Sequence, residues 1–244
     1  MKKKQNKTRE REGKRRSKSP PDILIIHKIT IANFRELFGR FFKGRLIDIG
    51  CGTKPYKEVL KDYVTEHIGV DHSDTSHDTS NIDIFSSAYS IPLEDNSFDS
   101  ALCTCVLEHL EEPELALKEC HRLLKPGGYA IYHTPFIWHL HEEPRDFYRY
   151  TIHGLKYLFD KAGFEIVEIR PICGFVITFL QLHLYLVRGK FNRGLIKWLG
   201  LFRFYNFICH KLGLFLNRFD NSTQYTCNYI TVARKPAGKE NSGK

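Results

Sequence analysis

The chain has 244 residues, of which 42% are apolar and 27% charged, with a net charge of +9. That is enough for one α/β domain with additions, and an ordinary globular apolar content excludes a wholly disordered chain. Residues 1–19 hold ten Lys or Arg and two Glu, so +8 of the charge belongs to a tail and the rest of the chain carries +1, which excludes a basic domain face.

Residues 1–21 read as a disordered basic tail, because like charges without apolar partners cannot bury a core. Attraction to anionic lipid or nucleic acid and simple solvation both remain open for it. No apolar segment follows the basic start, as a secretory signal would require. Seven Cys, an odd number without metal-ligand spacing, fit reduced thiols in a cytoplasmic compartment. The main domain is expected over 22–235, with a polar tail over 236–244. Residues 29–42 carry Ile29, Phe34, Leu37, Phe38, Phe41 and Phe42 at near-helical spacing, which predicts a helix ahead of the first strand.

Leu46 to Ile49 is a short apolar run ending in a turn with Gly50, Cys51 and Gly52, the pattern of a buried parallel strand with a ligand turn at its carboxyl end. Glycines there let a ligand lie against bare backbone, although a tight turn needs glycine without any ligand. Asp48 could order the loop or attract a cationic ligand. Pro55 suits the first turn of a helix running through 57–61. A second strand ends Ile68-Gly69-Val70-Asp71, and an acid so placed can accept from both hydroxyls of a ribose. The linker 72–80 is too short for a crossover helix and predicts a loop; its Asp and His residues show no tetrahedral ligand pattern. A third strand is expected at Ile82-Asp83-Ile84 and a fourth over Phe98 to Thr104. Val106-Leu107-Glu108-His109 follows, then a helix over 113–124, the turn Pro126-Gly127-Gly128 and a fifth strand over 129–133.

The loop 133–150 gathers His139, His141, Glu142, Glu143, Arg145, Asp146 and Arg149 at a strand's carboxyl end. It reads either as an acceptor lid with a general base or as an ion-pair network that holds the loop. No metal site is assigned, with His139 and His141 the pair left open. A helix follows over 151–162, stopped by Gly163, then a strand over 164–169. A return strand is expected over 225–233, after an insertion at 175–219. The apolar run 175–187 falls short of a membrane span, and basic residues are interleaved with Phe, Leu, Ile and Trp198 beyond it.

Taken in order, these residues resemble the class I S-adenosylmethionine-dependent methyltransferases in their small-molecule branch, over about 44–170. The loop resembles a His-Glu-Glu-Pro-x-Asp-aromatic segment of one subgroup. The resemblance implies an α/β, Rossmann-like, doubly wound sheet, mostly parallel, with an antiparallel strand near the C-terminus and a helical insertion before the last strand. It implies S-adenosylmethionine held by Asp48, Gly50, Cys51, Gly52, Asp71, Asp83, Ile84 and His109, with Asp83 taking the adenine amino group. His141 is the leading base, Glu142 and Glu143 stand behind it, and Arg145 and Asp146 orient the loop or the acceptor. The family's third glycine is Lys54 here, which puts helix-to-strand packing in doubt.

The expected activity is methylation, on oxygen, of a small-molecule, glycan or lipid-linked acceptor. An anionic membrane is a candidate partner through 175–219 and the tail, giving a cytoplasmic, peripheral location. The missing amino- and C5-directed motifs argue against a nucleic-acid methyltransferase. A non-catalytic, membrane-associated binding protein with the same fold is the other alternative.

Overall fold

The computed structural model describes residues 24–74, 78–191, 201–220 and 222–238. The basic tail, residues 75–77 of the polar linker, residues 192–200 of the insertion and the end of the polar tail lie outside the described residues. Seven strands form one sheet in the order β3-β2-β1-β4-β5-β7-β6. They are β1 (Arg45–Ile49), β2 (Glu66–Asp71), β3 (Ile84–Phe85), β4 (Phe98–Thr104), β5 (Leu124–Pro135), β6 (Glu165–Pro171) and β7 (Asn228–Arg234). β7 alone runs antiparallel, between β5 and β6. The expected fold class is therefore observed.

Strand periodicity explains the two-sided core. Leu46, Leu102 and Ile131 point to one face, while Ile47, Ala101 and Ala130 point to the other, and all are fully buried. Helix α1 (Leu24–Phe41) covers the first face. Phe34, Phe38 and the following Phe42 stack at 5.0 and 4.8 Å, since residues four apart lie on one side of a helix. Helices α3 (Pro113–Leu123) and α4 (Ile152–Lys161) cover the second face through Leu117, Leu123, Leu155 and Phe159. Pro113 opens α3, where its missing N–H costs nothing. Thr151 caps α4 by accepting from Gly154 N at 3.0 Å, and Gly163 stops it at φ +91°.

Several boundaries move. Helix α1 starts five residues ahead of the expected one, because Ile25 and Ile26 find a small cluster of their own with Cys173, Ile177 and Cys227. The helix after the glycine turn, α2 (Lys57–Leu60), is a single turn. The fifth strand extends back to Leu124, and the described residues of the insertion include two α-helices, α5 (Phe175–Phe191) and α6 (Leu201–Leu216). No described helix is long and apolar enough to cross a membrane.

Candidate cofactor and acceptor site

The sheet order reverses between β1 and β4, and a crevice opens beyond the carboxyl ends there, as doubly wound sheets require. Its volume is about 800 Å³. The turn after β1 supplies one wall. Gly50 and Cys51 donate backbone N–H groups to Val70 O at 2.8 and 3.1 Å, fastening the turn to β2. Gly50 has φ +71°, and a Cβ on it would lie 2.2 Å from Val106 Cγ2, so fold geometry alone demands glycine. Gly52 differs: at φ +48° a Cβ would meet nothing within 4 Å and would project into the crevice. Gly52 N donates to Asp71 Oδ2 at 2.8 Å and His72 N to Oδ1 at 2.8 Å. Each oxygen keeps a second lone pair, and Asp71 lines the crevice, so its carboxylate can still take two hydroxyls.

Cys51 also lines the crevice, while Asp48 does not. The Asp48 side chain is buried on the sheet's other face, 2.9 Å from His67 Nε2, and burial raises its pKa. It braces β1 against β2.

Asp83 and Ile84 are likewise absent from the crevice lining. Asp83 precedes β3 rather than following it. The Asp83 carboxylate accepts from Lys54 Nζ at 2.5 Å and Gly69 N at 2.6 Å. Burial alone would raise its pKa, but those two donors bring it below the usual carboxylate value. The pair answers the question posed by the lost third glycine. Lys54 turns inward at φ +52°, and its Cε would lie 2.3 Å from a Cβ on residue 69, so Gly69 makes the room that the loop glycine usually supplies. The crevice is lined beyond β3 by Phe85 and by Ser86 to Tyr89, which sequence reasoning missed. The only signal was their place immediately after an apolar pair.

The third wall follows β4 and the long loop. His109 lines the crevice in a 3₁₀ turn (Leu107–His109), with Glu142, Glu143 and Arg145 beside it. His109 Nδ1–H donates to Arg145 O at 2.6 Å. Two expected catalytic residues, His141 and Asp146, do not line it. The Asp146 carboxylate accepts from both Arg149 nitrogens at 2.6 and 2.7 Å and from His141 N at 2.9 Å. The Arg149 guanidinium holds that carboxyl well below the usual range. Arg149 also donates to His139 O at 2.8 Å, so Asp146 and Arg149 are a scaffold that ties the loop to itself. That fastening draws the His141 ring inward, 4.7 Å edge-on from His109, and burial lowers its pKa.

Glu108, adjacent to His109 in sequence, was absent from the expected site set. Its side chain is 0% exposed and neither oxygen has a hydrogen-bond partner among the described residues. Burial pushes its pKa up to about 8. Nothing in a Glu-His dipeptide signals such burial, because it results from Phe147 N and Tyr148 N closing on Glu108 O at 2.9 and 3.2 Å.

Residues 47–132 match a family described as a methyltransferase domain. The chain is 31% identical over 131 residues to a ubiquinone biosynthesis O-methyltransferase of Coxiella burnetii, covering 48% of this chain and 53% of that one. It is 27% identical over 172 residues to a demethylmenaquinone methyltransferase of Staphylococcus haemolyticus, covering 53% and 72%. The chain spans about half the length of the ubiquinone-biosynthesis relatives it matches. Among solved structures, a putative methyltransferase from Bacillus halodurans superposes with a TM-score of 0.54 at 15% identity, covering 84% of this chain and 98% of that one. The fold is thus the Rossmann-like fold of class I methyltransferases.

Proposed function

We propose that this chain is an S-adenosylmethionine-dependent methyltransferase acting on the hydroxyl of an amphiphilic small molecule, reached from an anionic membrane surface. The observation that carries the cofactor assignment is the crevice wall in which bare Gly52 backbone lies beside the Asp71 carboxylate. It suits a nucleoside whose ribose hydroxyls are bound and whose amino-acid arm lies where a side chain would stand. When bound, the cofactor supplies an already activated methyl group, so the chain's task is alignment and exclusion of water. Cys51 and His109 flank that arm, and Ser86 to Tyr89 take over the adenine role expected of Asp83 and Ile84. Glu142, Glu143 and Arg145 face the acceptor, and one of the two carboxylates receives the proton the hydroxyl loses. This gives His141 and Asp146 positioning roles. The His-Glu-Glu-Pro-x-Asp stretch is read as the acceptor loop of its subgroup.

The acceptor class rests on α5 and α6. Their polarity is mixed. Thr178, Gln181 and Asn206 are buried beside Ile177, Leu184 and Phe202, and the amides of Gln181 and Asn206 have no hydrogen-bond partner among the described residues. Phe175, Phe179, Leu182 and Leu186 form an exposed stripe at helical spacing, matched on α6 by Phe204, Ile208 and Phe215. Residues 175–219 contain seven Lys or Arg and no Asp or Glu. An exposed apolar stripe in a segment whose charged residues are all basic suits the headgroup layer of an anionic bilayer. Tyr185 of α5 packs 4.4 Å from His139, joining this face to the acceptor loop. The named relatives act in quinone biosynthesis, which agrees with a lipophilic acceptor.

Two measurements test the reading. Radiolabelled cofactor is incubated with an extract of small molecules and lipids, and label is counted in aqueous and organic phases; label in neither defeats the enzyme reading and leaves a cofactor-binding protein. Flotation with phosphatidylglycerol vesicles at low salt should carry the protein, and less of it as salt rises. Protein that ignores the vesicles and forms a stable dimer would assign the apolar face to a second copy instead.

A further inference from the structure

Behind the acceptor wall, the structure assigns a divalent transition-metal site to Glu108, His109 and His141. Among the described residues, their donor atoms all lie within 4.8 Å of one another. Glu108 Oε1 is 3.9 Å from His109 Nε2 and 3.9 Å from His141 Nε2. The Glu108 side chain is 0% exposed, and neither oxygen has a hydrogen-bond partner among the described residues. A buried carboxylate without partners is costly, and native proteins satisfy such groups with a donor, a water or an ion.

Both imidazoles are set in the ligating tautomer. A carbonyl oxygen only accepts, so His109 Nδ1, 2.6 Å from Arg145 O, carries the proton and its Nε2 offers a lone pair. His141 Nδ1 lies 3.2 Å from His139 O and 3.4 Å from Asp146 Oδ2, both acceptors. Arg149 Nη2 is also 3.4 Å from it, but that nitrogen's two protons go to Asp146 Oδ2 and His139 O at 2.7 and 2.8 Å. His141 Nε2 is therefore likewise free to ligate, and its ring stands in a carboxylate–histidine arrangement. A backbone carbonyl behind one ligand and a carboxylate behind the other are the outer partners that ligating histidines require.

Two imidazoles and one carboxylate suit zinc or a similar borderline ion better than magnesium or calcium. Bonds of about 2.0–2.2 Å need ligand atoms about 3.3 Å apart, so each carboxylate–imidazole distance would close by roughly half an ångström and the two imidazoles by up to about 1.5 Å around an ion. Three protein ligands leave a position open, and His109 gives it access to the crevice. There the ion would hold and polarise the acceptor oxygen, a role that rests on the methyltransferase reading. The site itself does not.

The test uses the untagged full chain, stripped with a chelator and titrated with ZnCl₂ by calorimetry and with CoCl₂ by visible absorption. One ion per chain is expected, with the intense d–d bands of a low-coordinate cobalt site. Second-shell changes already cost about 10–100-fold in metal affinity, so Glu108→Gln and His141→Ala should each cost at least about 100-fold, while His139→Ala keeps the site. Circular dichroism confirms that each variant is folded. Should Glu108→Gln alone unfold, His141→Ala decides. Cofactor binding is measured on the same stripped sample. Wild-type protein that takes up no stoichiometric ion, or variants that bind it as tightly as wild type, would overturn the site; loss of methyl transfer with metal binding intact would overturn only the functional reading.

Discussion

The two loop glycines make opposite predictions, because one is required by the fold and the other faces the crevice. Alanine at either position must adopt φ near +71° or +48°, a left-handed conformation that costs about 1–3 kcal/mol. At position 50 the new Cβ would also sit 2.2 Å from Val106 Cγ2, deep inside contact distance, and overpacking adds about 1–3 kcal/mol. At position 52 the Cβ meets nothing within 4 Å and that second cost is missing. Gly50→Ala should therefore be less stable than Gly52→Ala by about 1–3 kcal/mol in urea unfolding. Cofactor affinity should show the reverse contrast among folded variants. A side chain at 52 intrudes where the amino-acid arm would lie, and losing one charged or bidentate contact of that arm costs about 1.5–3 kcal/mol, or ten- to a hundred-fold in Kd. Gly52→Val, with more bulk in the same direction, should lose more. Calorimetry with S-adenosylhomocysteine measures the affinities. Equal stabilities for the two alanine variants, or wild-type affinity in Gly52→Val, would refute this division of roles.

Asp71→Ala removes an acceptor for two backbone N–H groups and, on the proposed reading, for the ribose. A tenfold or greater rise in the Kd for S-adenosylhomocysteine is expected, and unchanged affinity would remove Asp71 from the site. Asp146 supplies a pH prediction. The Arg149 ion pair depresses its pKa, so the stability it contributes is present above the ordinary Asp pKa and is lost as pH falls through the depressed folded value. Asp146→Asn should lower loop protection in hydrogen exchange at neutral pH and flatten its decline in acid, whereas a wild-type profile would show that the pair does not hold the loop.

Much of the fold was legible from local pattern. The run from Leu46 to Ile49 and the spacing of Phe34, Phe38 and Phe42 follow from strand and helix geometry, which a linear sequence records directly. Asp71 and the glycine pair were legible for the same reason: a ligand turn at a strand's carboxyl end is a local object. What tertiary structure decided depends on pairs distant in sequence. Asp83 was drawn away from the crevice by Lys54, 29 residues earlier. Ser86 to Tyr89 became lining because the short β3 ends one residue before them. Asp146 became a brace because Arg149 turns back on it, leaving His141 to face Glu108. Glu108 is the plainest case. Its neighbours in sequence are compatible with an exposed turn, and only the returning loop removes it from water, converting an ordinary carboxylate into a buried group whose charged form is costly.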